Sequence, residues 1–151
     1  MGLDYSIVME NMPTQVPMVG TLNIEYLELN ADHALLRMPD QPEYHNHIGG
    51  IHAGAMFTLA ETASGAIVLA EFGDKFDSVV PLAVQATIRY LKVAMGPLTA
   101  EATMNATVDE VLADLESGTR PEFTVDVAIR DESGTQTGAM TIIWTLKRLK
   151  K

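Results

Sequence analysis

One acidic residue, Glu61, stands in the middle of the longest apolar segment of the chain, residues 53–72. The only other ionisable residue of that segment is Glu71, near its end. An ionised carboxylate buried without a partner is costly or stays protonated, so its retention here needs a reason. A carboxyl group whose pKa is raised by burial is suited to act as a general base or a nucleophile. A structural pairing of Glu61 with Arg89 or a lysine would also explain it, and both interpretations are open at this point.

The nine residues 46–54, just upstream, could supply the remaining groups of a reaction site. Gly49 and Gly50 permit a tight turn before the apolar helix begins near Ala53. Unpaired N–H groups at a helix start, together with the positive end of its dipole, suit a carbonyl oxygen that gains charge during attack. Asn46 adds an amide that can hold a water molecule or the substrate.

This pattern resembles the signature of hotdog-fold acyl-CoA thioesterases of the phenylacetate-pathway (PaaI-like) type. Residues 83–90 also resemble the strand that follows the helix in that family. The resemblance is carried by Asn46-x-x-Gly49-x-x-His52-x-Gly54 and by Leu59-Ala60-Glu61-Thr62-Ala63-x-Gly65.

The resemblance implies roles for five residues of this chain. Glu61 takes the place of the catalytic carboxylate, and Asn46 matches the residue that positions the water or the substrate. The backbone N–H of Ala53, together with that of Gly54, would polarise the thioester carbonyl. His52 matches the histidine of the motif. The implied reaction is hydrolysis of an acyl-CoA thioester, with Glu61 as general base or nucleophile.

Five further residues are candidates for binding the substrate. Phe57, Thr58 and Gly65 lie within one helical turn of Glu61, and two of the three are small enough for a ligand to approach. Arg89 and Lys92 could neutralise the phosphates of CoA. Two positions depart from the family pattern, because alanine stands at 53 in place of glycine and at 83 in place of a polar residue.

The pattern of elements predicts an α+β fold, with a long apolar helix wrapped by a curved antiparallel sheet, as one domain over residues 1–151. The resemblance implies that this fold is of the hotdog type. A short N-terminal helix should be closed by Pro13 and Pro17. The predicted helices are Tyr5–Met12 and Ala53–Phe72, and the predicted strands are Thr21–Leu29, Ala34–Met38, Val79–Val93, Leu98–Val111, Glu122–Arg130 and Thr137–Lys147.

The charge of the chain excludes some classes of partner. The 151 residues carry a formal net charge of −10 and include no cysteine. A nucleic-acid reader needs a basic surface, so no nucleic acid partner is expected. We expect a cytoplasmic protein without a membrane span, because the apolar segment is short and has a carboxylate at its midpoint. The resemblance implies a homodimer or a dimer of dimers with shared sites, and we expect neither a cofactor nor a metal ion.

Three alternative functions remain open. His45, His47 and His52 could bind a metal ion, although no carboxylates accompany them at ligand spacing. A hotdog hydratase or dehydratase could use Glu61 with His47 or His52 on an acyl thioester. The alanines at 53 and 83 are compatible with a non-catalytic module that only binds acyl-CoA, since a fold does not fix its chemistry.

Overall fold

A curved sheet of six antiparallel strands wraps one long helix, and the core lies between them. The computed structural model describes residues 3–150. In chain order the helices and strands are α1 (Tyr5–Gln15), α2 (Pro17–Thr21), β1 (Glu25–Asn30), β2 (His33–Met38), α3 (Ala53–Phe72), β3 (Val79–Tyr90), β4 (Leu98–Met104), α4 (Val108–Glu116), β5 (Glu122–Asp131) and β6 (Gln136–Arg148). The strand order across the sheet is β1-β2-β4-β5-β6-β3. The predicted α+β class and hotdog architecture are confirmed.

The helix α3 has the bounds that the sequence predicts. Its alanines and leucines favour helix, and half of its residues are buried, among them Leu59, Ala63 and Ile67 at 0% exposure. The stretch Ala53–Lys75 is long and apolar enough to cross a membrane, but 56% of its most apolar window is buried inside the fold. Helices of the cores of soluble proteins pass the same test, so the burial explains the apolar composition.

The strand β5 shows how the sheet separates its two faces. Phe123, Val125, Val127 and Ile129 alternate along it and are all buried against the core. Asp126 is exposed on the other face, where its carboxylate accepts hydrogen bonds from Asn105 and Thr141 at 2.9 and 2.6 Å. The alternation predicted from the sequence therefore corresponds to one apolar face and one polar face.

A polar contact inside the core fixes α3 against the last strand. The indole N–H of Trp144 donates to the hydroxyl of Ser64 at 3.2 Å, and both side chains are buried. The Ser64 hydroxyl in turn donates to the backbone carbonyl of Glu61 at 2.7 Å. Because buried polar groups need partners, this chain of bonds sets the position of the Glu61 turn relative to β6.

The N-terminal elements differ from the prediction. The helix α1 continues through Pro13 to Gln15, because the N–H of Val16 bonds the carbonyl of Met12 at 2.9 Å and closes the turn after the proline. Thr21 belongs to the short helix α2 and not to a strand, so β1 begins only at Glu25.

A second correction concerns residues 108–111, which were predicted to continue a strand. They form the first turn of α4, and the strand before it ends at Met104. The helix begins at a capping box in which the Thr107 hydroxyl accepts from the Glu110 N–H at 3.1 Å, while the Glu110 carboxylate accepts from the Thr107 N–H at 2.8 Å. This pair satisfies two backbone donors that a strand would have offered to a neighbour.

The sheet has two edges, and they are treated differently. The helix α1 packs beside β1 at one edge. The other edge is β3, whose residues 82–85 are all exposed. Leu82 and Val84 are 39% and 49% exposed there. A long edge strand with exposed apolar side chains is a template for pairing with another chain.

The Ser64→Ala substitution should lower the free energy of unfolding by about 1–3 kcal/mol, because the buried indole N–H loses its acceptor. Chemical denaturation monitored by Trp144 fluorescence measures this loss. The matched control is Ser117→Ala, which removes an exposed hydroxyl at the end of α4 and should change stability by less than about 0.5 kcal/mol. Equal losses of stability in the two variants would contradict the stabilising role of the Trp144–Ser64 hydrogen bond.

Candidate functional site

The loop before α3 is organised by the side chain of Asn46. Its carbonyl oxygen accepts hydrogen bonds from the N–H groups of Ile48 and Gly50 at 3.0 and 3.1 Å. Its backbone N–H donates to the carbonyl of Gly50 at 2.8 Å, and Gly49 has a φ of 78°, which few residues other than glycine adopt. The Asn46 carbonyl is therefore used to build the loop. Its amide nitrogen also donates to the Ile51 carbonyl at 3.5 Å, which leaves one N–H of the amide for a ligand.

Gly50 allows this loop to approach the segment after β3. A Cβ at Gly50 would lie 2.7 Å from the carbonyl oxygen of Ala94, too close for any side chain. The same carbonyl accepts the N–H of Ile51 at 2.8 Å. Gly49 thus permits the tight turn, and Gly50 permits the close backbone contact with Ala94.

The start of α3 leaves one backbone donor unpaired. His52 is the N-cap, and its Nδ1 accepts the N–H of Gly54 at 2.8 Å. The N–H of Ala53 lies in the first position of the helix, has no intrahelical acceptor and bonds no other residue within the part of the chain that the structure describes. Of the two predicted donors, Gly54 is already occupied and Ala53 remains free.

The Glu61 side chain lies two turns further along α3 and is half-buried. It forms no ion pair with any residue in the range 3–150, so the pairing with Arg89 or a lysine that the sequence left open does not occur. Burial raises the pKa of the Glu61 carboxyl above its ordinary value of 4.5. A carboxylate raised in pKa by burial alone, without a structural partner, is suited to general-base chemistry.

Glu61 opens onto a cavity of about 530 Å³ beneath α1. Its wall is mostly apolar and combines α1, α3 and the strand ends, with Val8, Met12, Leu69, Phe76, Pro81 and Trp144 among its residues. No lysine, arginine or histidine lines it within the described residues. Volume and lining are those of a small-molecule pocket for an apolar group.

Asn46 and Ala53 open onto a second cavity, of about 460 Å³. Tyr90 and Lys92 also line it, and the Tyr90 hydroxyl donates to the backbone carbonyl of Ala53 at 3.2 Å. The structure therefore places the predicted oxyanion donor and the predicted acid in two different cavities of one chain.

Residues 6–146 match the model of a family described as the domain of unknown function DUF4442. The chain belongs to this family. No curated protein matches the chain. The match runs from α1 to β6, so both ends of α3, the second cavity and every lining residue of the Glu61 cavity except Leu3 lie within the family region.

Solved structures with the same fold include proteins named as thioesterases. A Pseudomonas aeruginosa protein of unknown function, named a probable thioesterase, has a TM-score of 0.88 at 25% identity, with 99% of each chain covered. A mutant thioesterase from Pseudomonas aeruginosa has a TM-score of 0.78 at 15% identity and covers 93% of this chain and 94% of its own. A thioesterase family protein from Silicibacter pomeroyi has a TM-score of 0.76 at 16% identity, with 96% and 99% covered. These likenesses confirm the hotdog fold and the superfamily that the motif resembles.

The other predicted binding residues of this DUF4442 member are divided among several positions. Gly65 lines the Glu61 cavity, and Lys92 lines the second one. The Thr58 hydroxyl donates to the carbonyl of Gly54 at 3.0 Å within α3. Phe57 packs against the core and lines neither of these two cavities. Arg89 is exposed on β3.

The three histidines considered as metal ligands have other contacts or stand apart. His45 pairs with the Asp40 carboxylate at 2.5 Å, and His52 caps α3. Among residues 3–150, no three side chains of the ligand types come together.

Sequence reasoning missed two tyrosines that line the cavities, Tyr26 and Tyr90. Burial and the nearby charge of Glu61 raise the pKa of Tyr26 to about 12. Both lie in β-strands, where a polar-tipped aromatic is a weak signal for a site. Their neighbours become known only after the strands are placed.

Replacing Glu61 by glutamine should stabilise the protein at neutral pH, because the folded state disfavours the ionised carboxyl. A raised folded-state pKa makes stability fall as pH rises from the ordinary value of 4.5 through the raised value. The advantage of Glu61→Gln should therefore be full above that window and absent below pH 4.5. Denaturation of both proteins across this range measures it. The control is Glu43→Gln at an exposed site, and a gain of equal size and pH dependence there would contradict the assignment.

Proposed function

We propose that this protein hydrolyses acyl thioesters, with acyl-CoA as the substrate class and Glu61 as the catalytic carboxylate. The observation that carries the proposal is the unpaired, half-buried Glu61 in an apolar cavity, on the same helix whose first N–H, at Ala53, is also unpaired. The thioesterase names of structural neighbours at 15–25% identity support the same class of reaction.

In this mechanism the thioester carbonyl oxygen accepts the Ala53 N–H, which stabilises the negative charge of the tetrahedral intermediate. Glu61 takes a proton from water, the water oxygen attacks the carbonyl carbon, and the C–S bond breaks. The thiolate leaves and receives the proton. The raised pKa of Glu61 makes it a stronger base than an ordinary carboxylate. Direct attack by Glu61, followed by hydrolysis of the anhydride, uses the same groups.

One chain alone does not meet the distance requirement of this reaction. Ala53 and Glu61 are eight residues apart on α3, roughly 12 Å at the helical rise of 1.5 Å per residue. A nucleophile must come within about 3–3.5 Å of the carbonyl carbon, whose oxygen the donor binds. The acid and the donor of one site therefore belong to different copies of the chain.

The exposed edge of β3 offers the surface for a symmetric dimer. Antiparallel pairing of two complete β3 strands would put Val79 opposite Tyr90 of the second copy. Within one chain, Tyr90 bonds Ala53, and Pro81, near Val79, lines the Glu61 cavity. Such pairing carries the helix start of each copy towards the acid of the other.

The two cavities suggest how an acyl-CoA would divide between them. The apolar cavity beneath α1 has no cationic lining among the described residues, so it suits the acyl group. The second cavity holds Lys92, and Arg89 lies nearby on β3, so this side suits the phosphates of CoA. The net charge of −10 makes binding of the nucleotide part weak.

One observation favours the non-catalytic acyl-CoA-binding module as a second candidate. Because His52 occupies the Gly54 N–H, α3 offers one unpaired donor, at Ala53, where the motif led us to expect two. The hydratase alternative gains no support, since the Nδ1 of His52 is occupied as the cap of α3.

The decisive measurement is release of free thiol from a panel of short, long and aryl acyl-CoA esters. Wild type should hydrolyse at least one ester, and Glu61→Gln and Ala53→Pro should each lower kcat about 10²–10³-fold. Proline at the first helical position removes the N–H but preserves the helix, and His52, at φ −59° and ψ 139°, is already in the conformation that precedes proline.

The matched control is Ala53→Gly, which keeps the N–H and should remain active. Turnover that survives Glu61→Gln would exclude the catalytic assignment. Saturable acyl-CoA binding without turnover would favour the binding module, and hydration of crotonyl-CoA without thiol release would favour the hydratase.

A shared site predicts complementation between two inactive variants. Coexpressed Ala53→Pro and Glu61→Gln chains should regain roughly one quarter of wild-type activity, since half of the random dimers are mixed and each has one intact site. Activity that stays at the level of the separate variants would show that each site lies within one chain. The Val84→Lys substitution places like charges near the dimer axis, and it should give monomers in sedimentation and abolish the complementation.

A further inference from the structure

Tyr26 lies in β1 at the wall of the Glu61 cavity, and its hydroxyl forms no hydrogen bond with any residue in the described part of the chain. Tyr26 is partly buried, and a tyrosine hydroxyl at a cavity wall usually finds a hydrogen-bond partner. The register of β1 and β2 shifts just after Tyr26, at Leu27, which is 43% exposed. β-Bulges change the direction of side chains and are common beside active sites. This bulge follows Tyr26 directly, and the Tyr26 side chain lines the cavity.

Tyr26 and Glu61 carry the only ionisable side chains among the described residues of this cavity. They are close enough for the charge of Glu61 to act on Tyr26, yet no direct hydrogen bond joins them. Water commonly bridges polar groups that line the same cavity without bonding each other directly.

The two oxygens have different chemical capacities. Burial, with the charge of Glu61, raises the pKa of Tyr26 to about 12, so the phenol stays neutral at physiological pH. A neutral phenol accepts a hydrogen bond but does not remove a proton from water. Glu61 is then the base, and Tyr26 is a fixed acceptor that can orient a water molecule without competing for its proton.

We propose that Tyr26 is a further catalytic residue, which holds the attacking water together with Glu61. The water donates one hydrogen to the Glu61 carboxylate and the other to the Tyr26 oxygen, and its lone pairs face the thioester carbonyl. When the water oxygen bonds the carbonyl carbon, its first proton passes to Glu61 and later to the departing thiolate. This role rests on the proposed hydrolase function, whereas the Tyr26–water–Glu61 bridge itself does not need turnover.

The test is Tyr26→Phe, which removes one oxygen. We expect kcat to fall about 10- to 100-fold with KM nearly unchanged, because the water loses one of two anchors. Loss of the anchored water also deepens the desolvation of Glu61, so its titration, followed by carboxyl ¹³C NMR, should move to higher pH. The acid limb of kcat/KM should move in the same direction.

The matched control is Tyr44→Phe, which removes a tyrosine hydroxyl that bonds Asn23 and Thr21 outside the cavity. It should lower thermal stability but leave both kcat and the Glu61 titration unchanged. Unchanged kcat and unchanged Glu61 titration in Tyr26→Phe would overturn the inference. If the wild type releases no thiol from any ester while Tyr26→Phe still moves the Glu61 titration, the bridge stands and the hydrolase proposal fails.

Discussion

The burial of α3 is the constraint on which the rest of the structure depends. The helix is apolar on nearly all sides, so the sheet must wrap it to remove that surface from water. Glu61 is carried into this environment by its place in the helix, and the bonds from Trp144 to Ser64 and from Ser64 to the Glu61 carbonyl hold its turn in position. The same burial that stabilises the fold raises the pKa of the one carboxyl group in the middle of the helix. Burial of α3 is therefore the common origin of the stability of the fold and of the raised pKa of Glu61. Burial of the Glu61 carboxyl itself lowers that stability when the group is ionised.

The first turn of α3 offers a hydrogen-bond donor where Glu61 offers an acceptor. This donor is the exposed backbone N–H of Ala53, which bonds no other residue among those described. The loop from Asn46 to Ile51 uses its own polar groups to build a tight turn, and His52 occupies the N–H of Gly54. What remains for a ligand is the Ala53 N–H. A rigid helix keeps this donor and Glu61 apart at a fixed spacing, and this rigidity is the reason for proposing a site shared by two copies. The exposed edge of β3 gives the sheet a place to continue, as an edge strand with apolar side chains requires.

Much of the fold could be predicted because periodicity and punctuation are local. The bounds of α3, the strand β2 and the alternation of β5 follow from patterns within each segment. The errors lie where a competing contact decides. Pro13 did not end α1, because Val16 closes the next turn. Residues 108–111 form a helix, because the capping box of Thr107 and Glu110 outweighs the β-branched composition. Thr21 follows Gly20 in α2, where a Cβ would lie 2.5 Å from the Pro13 carbonyl oxygen of α1, and the sequence does not reveal this close contact.

The sequence by itself determined which groups could do chemistry, since the Asn46 to Glu61 spacing and the isolation of Glu61 among apolar residues are properties of the chain. It also determined that both groups belong to one helix and its preceding loop. Only the tertiary structure decided that Glu61 has no ion-pair partner among residues 3–150, that the Gly54 N–H is already bonded, and that acid and donor open onto different cavities. The position of Tyr26 beside Glu61 was also decided only by the tertiary structure. It is distant from Glu61 in sequence, and its hydroxyl reaches the cavity only because β1, with its bulge, lies beside α3 and beneath α1. Long-range packing determines such neighbours, and no local pattern records it.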